Sequence, residues 1–221
     1  MYFELIQGDL ADAAVPTGLL GRLAERPAGL VGAWQATAGA GLPRLVLLHF
    51  WNQLDDRSAA FAAGSHPLAG TPCDGALLRH EVAVLGPSIA WRMARRETAP
   101  LPPGGLYELR IQQVLNGHST EAAKVTGEST LPLLQSLGGQ VLGVFDLLLG
   151  SHRTRMVIFI AWPSLETQQY AWARLDVEPR FWRRRDEERI RLRRPLFGAQ
   201  ECHLLTALPG CEPRPDFGVT P

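Results

Sequence analysis

The chain has 221 residues, of which 46% are hydrophobic and 20% charged, with 22 basic and 22 acidic side chains and a formal net charge of zero. That length suits one large domain or two small ones, and the composition excludes global disorder. The charge balance removes any overall drive toward nucleic acid or an anionic membrane, and no uncharged apolar run is long enough to span a bilayer.

The opening MYFELIQGDL has no basic leader and no long apolar stretch, so no secretory signal is expected and a cytoplasmic protein is. Residues 2–7 read as a strand, 17–26 as a helix, 29–38 and 44–51 as strands, 55–64 as a helix and 78–85 as a strand. The segment HPLAGTPCDGA before that last strand is short and rich in Pro and Gly. Residues 86–105, GPSIAWRMARRETAPLPPGG, are punctuated like a linker. Trp91 is the exception, because an aromatic side chain in a linker packs back onto a domain or an interface.

Residues 106–114 alternate apolar and polar, as a half-buried strand does. Over 120–137, Ala122, Val125, Leu133, Leu134 and Leu137 share a helical face. Pro132 is expected to kink or split that helix, and Gly138-Gly139 to end it. Residues 141–149 and 156–162 are apolar strands about a turn at 150–154. Helical segments follow at 165–175 and 178–194, broken near Pro179, and 200–208 is the last strand.

Each half thus has the order β-α-β-β-α-β of a ferredoxin-like unit. The halves also repeat in sequence. Phe3-Glu4-Leu5 matches Tyr107-Glu108-Leu109, LVLLHFW (45–51) matches MVIFIAW (156–162), and Gly32 and Phe61 fall opposite Gly143 and Trp172. The expected organisation is an N-terminal unit over 1–85, a linker over 86–105, a C-terminal unit over 106–208 and a Pro-rich tail over 209–221. A four-stranded sheet with both helices on one face leaves its other face bare, and packing two such sheets together buries both. The expected fold class is α+β: two tandem ferredoxin-like units whose antiparallel sheets form a dimeric α/β barrel. The barrel would close within one chain or by exchange of halves in a homodimer.

YELRIQQV (107–114), LPLLQSLGGQVLGVF (131–145) and AWPSLETQQYAWARL (161–175) resemble the NIPSNAP family. So do Pro179, Phe181-Trp182, RRPLF and Gln200-Glu201 after them. Residues 106–208 carry the resemblance directly, and 1–85 only through the repeat. The resemblance implies the dimeric α/β-barrel superfamily, which includes cofactor-free monooxygenases, polyketide cyclases, haem enzymes and small-molecule-binding modules. NIPSNAP proteins themselves are mostly binding or regulatory, and fold alone selects none of these.

Period-two alternation, with a pocket expected inside the barrel, turns Glu108, Arg110 and Gln112 inward and Tyr107, Leu109 and Ile111 toward the helices; Glu4 matches Glu108 in the first half. His49 and Trp51 share a face, as do Ile160 and Trp162. His49 is the leading acid/base candidate, an imidazole in an apolar strand, set against a satisfied core histidine. Glu4 and Glu108 would orient or deprotonate, and Arg110 would hold a carboxylate or enolate; the bland alternative is a structural ion pair between the sheets. Trp34, Trp51, Trp162 and Phe145 would line the pocket, with His80 and His203 as weaker candidates.

Three cysteines without CxxC spacing give no metal or disulfide framework, and phosphate-loop, dinucleotide and GxSxG motifs are absent. Lys124 is the lone lysine, a bias expected of a GC-rich bacterial gene. RFWRRRDEERIRLRR (180–194) reads as an exposed, self-paired helix rather than a nucleic-acid patch. The expected activity is cofactor-independent chemistry on an apolar or aromatic small molecule, of cyclase, isomerase, lyase or monooxygenase type. The alternative is a non-catalytic ligand-binding or assembly protein.

Overall fold

The third strand of each half is buried on both faces. β3, Arg44–Trp51, buries every residue except Arg44 and Phe50, and β7, Arg155–Trp162, every residue after its first. A strand of that kind must be covered on both sides. The computed structural model, which describes residues 1–12, 14–25, 28–39, 41–66, 77–94, 101, 105–150, 154–213 and 217, shows how. β1 (Tyr2–Leu10), β2 (Leu30–Ala38), β3 and β4 (Leu77–Pro87) pair in the order β4-β1-β3-β2; β5 (Leu106–Val114), β6 (Gln140–Leu149), β7 and β8 (Phe197–Ala207) pair as β8-β5-β7-β6. The two sheets join through β2–β8, where Trp34 faces Ala207, and β4–β6, where Pro87 faces Phe145. All pairings are antiparallel, and the barrel closes within one chain, leaving no open sheet edge. This is the dimeric α/β-barrel fold.

An eight-stranded barrel is just wide enough for its side chains to fill, and aromatic rings fill this one. Phe3 lies 4.7 Å from Phe145, Trp34 lies 5.3 Å from Phe159 and 6.1 Å from Tyr107. α3 (Ile89–Met93) forms inside the expected linker, with Ser88 Oγ accepting from the Ala90 amide at its start. It sets Trp91 edge-on to Phe145 at 5.1 Å. Phe217 of the tail stacks on the same ring at 6.2 Å. The linker and the tail therefore both supply rings to the barrel core. The HPLAGTPCDGA segment beyond His66, Cys73, His152 and parts of the linker and tail lie outside the described residues.

The helices cover the outer faces. α1 (Thr17–Ala24) packs Leu19 and Leu23 against Ile6, Leu45 and Leu47, and α2 (Leu54–Ala62) lies over β3. In the second half the expected kink takes a defined form. α4 (Ser119–Val125) runs into a π-helical turn, Thr126–Thr130, and then α5 (Leu131–Ser136). Pro132 has no N–H to donate, and its ring crowds the carbonyl one turn back; widening the turn before it relieves both. Gly138, at φ 96°, ends the helix as expected. α6 (Leu165–Asp176) is capped by Ser164, whose Oγ accepts from the Thr167 amide at 3.2 Å. α7 (Pro179–Leu192) follows and stops at Arg193, in the left-handed region. Among the described residues no helix is long and apolar enough to cross a membrane.

Candidate functional site

β5 decides where polar chemistry sits, and it faces the opposite way from the expectation. Tyr107, Leu109 and Ile111 pack in the core among the barrel rings, while Glu108 and Arg110 meet the helices. The reason is partnership. The helix side delivers two indoles and an amide to the carboxylate, and a buried charge needs such donors.

Glu108 is fully buried. Its Oε1 accepts from Arg110 Nε at 2.8 Å and Nη2 at 2.7 Å, and its Oε2 from the indoles of Trp162 and Trp172, each at 2.9 Å, and from Gln168 Nε2 at 3.2 Å. Trp172 and Gln168 come from α6. The guanidinium carbon of Arg110 lies 3.3 Å from the Trp172 ring centroid, a cation–π stack. The Cys202 thiol, 3.4 Å from Glu108 Oε1, is pushed up to about 12 by burial and by that carboxylate, so it stays protonated.

Above Arg110 lies a cleft of about 260 Å³ between the outer face of the sheet and the helices. Arg110, Gln112 and Ile158 form its floor. Thr126 and Thr130 enter from the π-turn, Trp172 and Asp176 from α6, and Phe181 and Arg185 from α7. A second space of about 30 Å³, room for a water molecule, lies at the barrel end between Gln7, Glu81 and Arg155.

The first half buries an equivalent carboxylate. Glu4 accepts from Trp51 Nε1 at 3.0 Å, from Arg57 Nε at 2.7 Å and Nη2 at 2.6 Å, and pairs with His66 Nε2 at 3.0 Å. Burial alone would raise its pKa; the bonds from His66, Arg57 and Trp51 outweigh that and hold it at about 2. His49 stacks on Trp51 at 4.2 Å and is 1% exposed. Among the described residues its Nδ1 has no hydrogen-bond partner, and burial lowers the imidazole to about 4 against the pull of Glu4. His49 is thus a neutral imidazole packed against an indole, and it lines neither of these two spaces.

The other expected residues divide. Trp34 and Phe145 do point into the barrel but fill it. Trp51 and Trp162 lie on the helix side as donors to the two glutamates. His80 is exposed. His203 is fully buried on the interior face opposite Leu109, with neither ring nitrogen bonded among the described residues, and burial lowers its pKa. The ion pairs lie between each first strand and its own half, not between sheets. The residues not anticipated are Arg57, His66, Gln168, Trp172 and Thr126. One signal was present: a Glu and a Trp recur at matching places in both halves, which marks them as partners.

No family model matches the chain, and no curated protein does. Solved structures do. A monooxygenase candidate from Lactobacillus acidophilus NCFM superposes with a TM-score of 0.60 at 8% identity, covering 93% of each chain. An anthrone oxidase-like protein gives 0.56 at 15% identity, over 93% of this chain and 90% of that one. A NIPSNAP family protein from Agrobacterium tumefaciens covers 46% of this chain and 86% of its own, at 24% identity and a TM-score of 0.39. The two full-length likenesses establish the barrel fold.

Proposed function

We propose that this protein binds a small aromatic or conjugated molecule in the cleft between the second sheet and α6–α7. It acts there as a cofactor-independent enzyme, of cyclase, isomerase, lyase or monooxygenase type. The observation that carries the reading is Arg110. It is 8% exposed, two of its nitrogens are committed to Glu108 and its face to Trp172; among the described residues Nη1 has no hydrogen-bond partner. A guanidinium fixed in that way in the floor of a cleft stabilises an oxyanion that develops beside it, such as an enolate or phenolate. Glu108 is saturated with donors, so its role is to aim Arg110, not to take a proton.

The likeness to the anthrone oxidase-like protein supplies a first probe. A hydroxylated anthrone should quench tryptophan fluorescence on binding and drive oxygen uptake, and Arg110→Gln should abolish both. Undiminished binding by the variant would remove the cleft from the proposal.

One observation favours a purely binding role. Among the described residues no imidazole lines the cleft, and its one carboxylate is Asp176. Saturable binding of enolisable aromatics without turnover would select that reading. The NIPSNAP-like character of 106–208, its separation from 1–85 by the segment 86–105, and pairing of two barrels in a homodimer belong to the same proposal.

A further inference from the structure

Building on that reading of the cleft, we propose that its ligand is an aromatic acid, and that Arg185 on α7 selects it by holding a carboxylate at the outer end. α7 is unusual in what it buries: Glu188 is its one buried residue. It is therefore not fixed by an apolar stripe. Instead it is tied at its edges. Arg184 donates from Nη1 to Ser129 Oγ at 2.7 Å, and lies 3.4 Å from both Glu128 and Glu188. Arg191 pairs with Glu121, and the Trp182 indole donates to the Asp176 carbonyl. These ties run to the α4–π-turn segment and to α6, so they hold α7 over the cleft.

Against that pattern Arg185 stands apart. Arg184 and Arg191 are paired, but among the described residues Arg185 makes no close ion pair, Asp176 included, and feels the buried Glu188 only at longer range. Its guanidinium lies 5.2 Å from the Phe181 ring and 5.5 Å from the Trp182 ring, and it lines the cavity. A cation held beside aromatic rings at the mouth of a space of mixed polar and apolar lining is a receptor for a planar anion. At the inner end Thr126 adds a second polar group: it is 3% exposed, lines the cavity, and among the described residues its hydroxyl has no hydrogen bond. The ligand that meets both ends has a phenolic or enolic oxygen toward Arg110 and Thr126, an aromatic body beside Phe181, and a carboxylate toward Arg185. A space of about 260 Å³ suits a compact fused-ring body.

The test is a fluorescence titration of the full chain with three probes that set the two groups at opposite ends of the rings or omit one: 6-hydroxy-2-naphthoate, the matching uncharged amide, and 2-naphthol. The wild type should bind the acid roughly tenfold more tightly than the amide. Arg185→Gln should weaken the acid to the level of the amide and leave the amide unchanged. Asp176→Asn, which removes the one competing carboxylate in the wall, should tighten the acid further. Arg185 is exposed, so the fold should survive its replacement, with the circular dichroism spectrum as the check. Equal affinity for acid and amide in the wild type, or an Arg185→Gln protein that keeps the preference, overturns this inference and leaves the cleft reading standing. Failure of the wild type to bind any of the three overturns both.

Discussion

The two halves bury the same carboxylate and balance it differently. Glu4 lies under Trp51 and Glu108 under Trp162, at equivalent places on equivalent strands. In the first half the balancing guanidinium descends from α2, as Arg57, and His66 completes the cluster. In the second half it rises from the strand itself, as Arg110, so α6 is free to bring Trp172 and Gln168. One arrangement packs a cation and an imidazole down onto the carboxylate. The other sets the cation in the floor of an open cleft with its outer edge unused. The source of one arginine decides which half sets its cation at the floor of that cleft.

The largest expected effect tests that comparison directly. Glu108→Ala leaves Arg110, two indoles and Gln168 without their acceptor, and should cost about 3–5 kcal/mol in urea unfolding. Glu4→Ala should cost a similar amount. If the halves differ as described, only the Glu108 variant loses aromatic ligands in fluorescence titration; equal loss in both would break the distinction.

Next comes acid stability. Glu4 is held at about 2 against an ordinary 4.5, so its contribution, about 3 kcal/mol, is complete above 4.5 and is lost as pH falls toward 2. His49 is held at about 4 against 6.5, so the folded state resists its protonation and stability declines as pH falls from 6.5 toward 4. His49→Leu should flatten the upper part of this acid limb, read as urea midpoints across pH, without altering ligand binding. A loss of turnover in that variant would restore His49 as a catalytic residue.

Trp172→Phe removes one indole donor and weakens the stack under Arg110. It should cost about 1–2 kcal/mol in stability and loosen Arg110 enough to weaken binding. The smallest effect belongs to Arg184→Ala. The part-exposed ties from α7 to Ser129 and Glu128 should be worth about 1 kcal/mol or less, and less still at high salt. Its signature should appear in ligand dissociation rate more than in the unfolding midpoint.

Much of the framework was legible in the residues. The apolar runs at 45–51 and 156–162 mark strands that cannot be left bare on either face, and their recurrence marks the repeat. With βαββαβ order in each half, these constraints leave a closed barrel as a compact solution. Pro132 marked a disturbed helix, which took the form of a π-turn. The outer cleft was not legible, for a reason found in the same strands. Where both faces are buried, alternation divides residues into two sets but does not say which set faces in. The sequence contains Glu108 and Arg110 on one set; only the fold brings Trp172, 64 residues from Glu108, and Phe181 of α7 over them. A carboxylate settles on the side where donors are delivered, and which elements deliver them is decided by how the chain packs, not by its order.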